Sequence, residues 1–115
     1  MPITSPPPDL VVHDWPLPYE ARLNHRELAA IDLVVIHCTE LPDLAMTREF
    51  GERVHYPQKG TGNSGHYYIT ESGAVYRFVA NDRVANHTKD WNTRSIGIEM
   101  FNVGRYPHWG DSRYQ

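Results

Sequence analysis

The chain has 115 residues, 40% of them hydrophobic, and a formal charge of -3 with histidine neutral, which allows one domain with a small core. No block of Lys or Arg stands out, arguing against nucleic acid or an anionic membrane as main partner, and no apolar run is long enough to enter a bilayer as a spanning helix. A single cysteine, Cys38, excludes an internal disulfide framework.

Residues 1–18 hold six of the nine prolines. Proline fixes φ and removes a donor, so the spacing predicts an extended arm, reaching to about residue 24 and lying outside any sheet interior. Val11, Val12, Trp15 and Leu17 are its candidate pins. The segment Met1-Pro2-Ile3-Thr4-Ser5-Pro6-Pro7-Pro8 lacks the basic and apolar regions of a secretory signal, and a cytoplasmic location is expected. Tyr19 to Ala30 reads as a short helix, with Asn24 as N-cap and Glu27 as its reciprocal partner.

Ile31 to Glu40 reads as a central strand buried on both faces: Leu33-Val34-Val35-Ile36 is continuously apolar and mostly β-branched. It ends in His37, Cys38, Thr39 and Glu40, and the end of such a strand opens into a natural crevice. Pro42 and Asp43 mark a helix start, and Met46, Phe50 and Val54 recur four apart as its apolar stripe, weakened by Gly51. The glycine-rich stretch from Lys59 to Gly65 is a loop without the Gly-Lys-Ser/Thr of a phosphate cradle. His66–Thr70 and Ala74–Val79 read as a hairpin turning at Glu71-Ser72-Gly73. Asn81 to Asn92 is loop, Ser95 to Phe101 is a last strand, and Asn102 to Gln115 is irregular. The count is four strands and one firm helix.

Seven histidines raise the question of a metal. Alternation along the first strand puts Leu33, Val35 and His37 on one face, with His37 at its rim as a candidate ligand or, more plainly, a strand-end histidine bonded to backbone. Cys38 then points the other way, towards buried packing. In the last strand Gly97, Glu99 and Phe101 share a face. A mid-strand carboxylate is costly to bury, so Glu99 is either a general base with a raised pKa or an ordinary surface or ion-paired acid, with Arg94 as a candidate partner. Gly97 beside it leaves space for a ligand or another backbone. His66 opens a strand. His87, Lys89, Trp91 and Asn92 could form a rim that contacts sugar or peptide, or an ordinary polar loop.

In order, these pieces resemble the zinc-dependent type 2 N-acetylmuramoyl-L-alanine amidases, whose fold is shared with the peptidoglycan-recognition proteins. The likeness runs from about Ile31 to Val103. Its motifs are Val35-Ile36-His37-Cys38-Thr39, Ser64-Gly65-His66-Tyr67-Tyr68-Ile69, the turn Glu71-Ser72-Gly73-Ala74-Val75-Tyr76, Val84-Ala85-Asn86-His87 and, most specific, Asn92-Thr93-Arg94-Ser95-Ile96-Gly97-Ile98-Glu99. The resemblance implies an α/β fold with a central mixed β-sheet and flanking helices. It implies hydrolysis of the amide between N-acetylmuramic acid and L-alanine in peptidoglycan or muropeptides, or, as the alternative, a non-catalytic peptidoglycan-binding module. Zn2+ is the implied cofactor, with His37 as its first ligand and Glu99 as the catalytic carboxylate. His87, Trp91 and Asn92 match the substrate-cleft rim, and Thr39 and His66 are counted with them as substrate contacts.

The family's other two zinc ligands, a His in a Gly-His segment after a long helix and an Asp or Cys near the C-terminus, have no match here. His108 lies too close to the last strand, and Asp111 has no family context. Residues 25–115 are therefore expected to be the N-terminal portion of an amidase domain whose C-terminal part is missing. The absent helix is expected to leave one sheet face bare or covered by a partner chain.

Overall fold

A computed structural model describes residues 10–108. The sequence readings on residues 1–9 and 109–115, including the first eight residues and Asp111, lie outside them. The described residues form a five-stranded mixed sheet: β1 (Val12–Asp14), β2 (Leu33–Cys38), β3 (Tyr67–Ile69), β4 (Val75–Arg77) and β5 (Ser95–Met100), in the order β1-β4-β3-β5-β2. The β3–β4 hairpin is antiparallel, and the β1–β4, β3–β5 and β5–β2 pairs are parallel.

The first strand read from the sequence is thus an edge strand and not a central one, and it is covered on one face only. Val34 is 55% and Ile36 57% exposed. Ladder pairing sets Val34 beside Ile96, Ile36 beside Ile98 and Cys38 beside Met100, so this bare face is an apolar stripe running from one strand to the next. Cys38, expected in buried packing, is exposed because it lies on that face.

The other face carries the core, much of it from the N-terminal segment. Leu17, Tyr19 and Leu23 pack with Tyr68, Phe78 and Val79, all 5% exposed or less. The arm also supplies the strand that the sequence reading missed: β1 adds to the edge of β4, and Asp14 grips Arg77 through two hydrogen bonds of 2.6 and 2.8 Å. No helix spans Tyr19 to Ala30. Two single 3-10 turns, Glu20–Arg22 and Leu28–Ala30, flank an isolated bridge from His25 to Arg83, and Asn24 spends its carbonyl on Val84 N.

Helix α1 (Leu44–Glu52) starts where Asp43 predicts, its carboxylate accepting from Met46 N at 2.8 Å. Its buried face is not the apolar stripe. Thr47, Arg48 and Gly51 face inward, while Met46, Phe50 and Val54 are 37%, 42% and 53% exposed. Gly51 allows this: its backbone approaches Leu17 and Phe78, and Tyr19 Oη donates to its carbonyl at 2.6 Å. Arg48 completes the seal. Its guanidinium lies 4.3 Å over the Trp15 ring and 4.6 Å over Phe78, and it donates to the carbonyls of Trp15 and Pro16. This clamp holds the arm against the helix and sets α1 as one wall of a cleft.

Candidate active site

Parallel pairing puts His37 of β2 directly beside Glu99 of β5, and Glu99 beside Tyr68 of β3. Side chains at paired positions share a face, so these three form one row across three strands, on the covered side of the sheet. Above Glu99 and Tyr68 lies a cleft of about 550 Å³ whose lining also includes Thr39, Phe50, His87 and Asn92; His37 is not part of that lining and reaches it through His87.

Glu99 is partly buried, and loss of hydration pushes its pKa up from 4.5 to about 7. Its carboxylate has no hydrogen bond or ion pair among the described residues. The sequence alternative of a salt bridge to Arg94 does not occur, because Arg94 is bound bidentately to Asp32 at 2.7 and 2.6 Å. Space for Glu99 comes from Gly65, where a Cβ would stand 3.1 Å from the Glu99 Cγ.

His37 meets His87. Its Nε2 lies 3.0 Å from His87 Nδ1, and His87 Nε2 lies 3.0 Å from the buried hydroxyl of Ser95. Burial alone lowers the pKa of His37; that of His87 falls to about 4, chiefly by burial, with His37, His66 and Arg26 nearby adding to the effect. Two neutral imidazoles and a hydroxyl are therefore linked in series, and His37 Nδ1 keeps no partner among the described residues. The space that Gly97 leaves is filled from within the chain: a Cβ there would stand 2.7 Å from His87 Nδ1.

The loop carrying His87 is held by two groups. Asn92 Oδ1 accepts from His87 N at 3.0 Å and Thr88 N at 2.8 Å. Arg26, 7% exposed, donates to the carbonyls of Asn81, Asn92, Thr93 and Ser95. Thr39 Oγ1 accepts from Leu41 N and also touches the backbone of Asn102, tying the end of β2 to the chain after β5.

One candidate contact is corrected. His66 is fully buried and cannot meet a substrate. Its Nδ1 accepts from Gly97 N at 3.1 Å, which leaves the Nε2 proton for Arg83 O at 2.9 Å, so it is a neutral strut between strands. Trp91 is 49% exposed, next in the chain to the cleft residue Asn92, with the Arg94 guanidinium 5.6 Å from its ring. The sequence reading missed Tyr68 and Ser95. Tyr68 Oη sits 2.9 Å from Ser64 Oγ and accepts from Gly65 N at 3.1 Å, bracing the backbone beneath Glu99. Tyr68 stands two residues after His66, and alternate residues of a strand share a face, so alternation put both on the side of the sheet that carries Glu99.

The family model for N-acetylmuramoyl-L-alanine amidase matches residues 27–115. The chain belongs to this amidase family. Among solved structures it is similar to the endolysin N-acetylmuramoyl-L-alanine amidase LysCS from Clostridium intestinale URNW, with 20% identity and a TM-score of 0.61 over 80% of this chain. It is also similar to the N-acetylmuramoyl-L-alanine amidase LysC from the same organism, with 22% identity and a TM-score of 0.55 over 81% of this chain. The likeness establishes the α/β amidase fold, and the chain spans 58% and 60% of those two structures. A comparison with curated proteins finds no match.

Among the described residues no group of three His, Cys, Asp or Glu side chains could hold a metal ion. His37 and His87 alone fall short of the three protein donors of a catalytic zinc centre.

Proposed function

We propose that this cleft hydrolyses the amide between N-acetylmuramic acid and L-alanine in peptidoglycan or muropeptides, with Glu99 as the proton-transfer group. The observation that carries this is the state of Glu99: a cleft carboxyl with no hydrogen bond or ion pair among the described residues and a pKa of about 7. Such a group takes and returns a proton at neutral pH, which is what amide hydrolysis needs. Water adds to the carbonyl carbon while Glu99 accepts one of its protons. The same proton passes to the amine nitrogen as the C–N bond breaks, leaving a carboxylic acid on the sugar side and a free amine on the peptide. Asn92 and Thr39 hold the loops that form the cleft walls, and His87 holds the His37 ring at its place in the row.

Zinc dependence belongs to this proposal, with His37 as one ligand. When bound, the metal would supply Lewis-acid polarisation of the carbonyl and a more acidic water. The donor set among residues 10–108 does not complete such a centre, so no step here runs through it.

The reading is tested by incubating the protein with N-acetylmuramoyl peptide, with and without added Zn2+, and assaying the new peptide amine. Release by wild type and loss of roughly 100-fold or more in Glu99→Gln, with muropeptide binding kept, is the expected result. Binding without release in any condition would leave the non-catalytic peptidoglycan-binding module as the better description.

A further inference from the structure

A second cavity of about 530 Å³ adjoins the cleft, and Tyr56, Asn86, Lys89 and Asn92 line both. The two lobes differ in charge. The cleft lining includes the carboxyl of Glu99; the second lobe adds Lys59 to Lys89, with His55 beside them, and its lining includes no carboxylate. The chain as a whole is acidic, at -3, so the local excess of cation runs against its composition.

Both lysines stand on braced backbone. Lys59 lies in a turn closed by Lys59 N and Gly60 N donating to Tyr56 O, at 3.0 and 2.8 Å, and by Tyr56 N donating to Thr61 O at 2.9 Å. Lys89 has φ +42°, a left-handed backbone that a lysine rarely adopts, and it is kept there by the Asn92 side chain bound to the two residues before it. Neither lysine side chain is in an ion pair or hydrogen bond among the described residues. Two exposed lysines on separate braced loops thus line one cavity with no carboxylate in its lining, an arrangement whose charge suits an anion.

We propose that Lys59 and Lys89 bind a carboxylate on the peptide limb of the substrate, making the second lobe a specificity subsite of the amidase cleft. This rests on the function proposed above. The sugar limb is excluded as the source of the anion by its chemistry: the carboxyl of its lactyl group is consumed in the scissile amide, and the rest of N-acetylmuramic acid is uncharged. A stem peptide, by contrast, carries free carboxylates beyond the L-alanine.

The test is calorimetric binding of two N-acetylmuramoyl peptides, identical except that the peptide carboxylates are free in one and carboxamides in the other. Wild type is compared with Lys59→Met, Lys89→Met and the double variant, and inorganic phosphate serves as a third ligand. The expected result is tighter binding of the free acid by wild type, by about tenfold or more, with the preference gone in the double variant and affinity for the carboxamide unchanged. Equal affinity of wild type for acid and carboxamide overturns the proposal, as does lysine-dependent binding of phosphate without any preference between the two peptides. Because Lys89 could shape the loop, Lys89→Arg must keep the acid preference; its loss there also overturns the charge argument. Preference for the acid without peptide release would sink the hydrolase reading and leave the subsite standing.

Discussion

The imidazole of His87 lies in the space that a side chain at position 97 would need, 2.7 Å from the site of a Cβ on Gly97. The contact explains why a glycine stands in the middle of a strand, where it otherwise weakens the ladder. Gly97→Ala is expected to push the ring off both His37 and Ser95. Overpacking of this kind costs about 1–3 kcal/mol, read from urea denaturation, and peptide release should fall more steeply than stability.

Glu99 gives the pH dependence. Its pKa is raised from 4.5 to about 7, so the fold favours the neutral carboxyl. The stability this contributes is present below pH 4.5 and is lost as pH rises through about 7. Glu99→Gln should therefore raise the denaturation midpoint at pH 8 and leave it near wild type at pH 4. Hydrolysis should run the other way in wild type, rising with an inflection near pH 7 as the base form appears.

His66 has the opposite sign. Burial lowers its pKa from 6.5 to about 4. The stability it contributes is present above pH 6.5 and is lost as pH falls through about 4, because a proton on Nδ1 would face Gly97 N–H and bring charge towards Arg26. His66→Ala is expected to destabilise by about 2–4 kcal/mol at pH 7, measured by denaturant titration, through a cavity and two broken hydrogen bonds.

The bare sheet face predicts a contrast. Ile36→Thr removes an apolar side chain that is 57% exposed, so stability should move by no more than about 0.5 kcal/mol while binding of a hydrophobic dye falls. Phe78→Ala empties a site that is 0% exposed and should cost about 3–5 kcal/mol.

What could be read from the chain was decided by periodicity. Alternation placed His37 and Glu99 on their correct faces, and Asp43 marked the start of α1, because both signals are local. The inward face of α1 was not legible, since Gly51 and Thr47 are buried by how close the arm comes and not by their own hydrophobicity. His66 shows the same limit. A histidine that donates to a carbonyl in the interior has the same letter as one that meets a ligand, and only the burial of its strand tells them apart. Arg26 and Arg48 were silent for the same reason: the carbonyls they hold lie from 32 to 69 positions away.

The β2–β5 ladder runs over six residue pairs, Leu33–Cys38 against Ser95–Met100, whereas each of the other pairings spans three. Amide exchange should therefore be slowest where β5 meets β2, and partial opening on warming should peel away the β1–β4 end first. The imidazole and the carboxyl would keep their spacing through such fluctuations, so loss of hydrolysis on heating would track global melting and not the early fraying of the far edge.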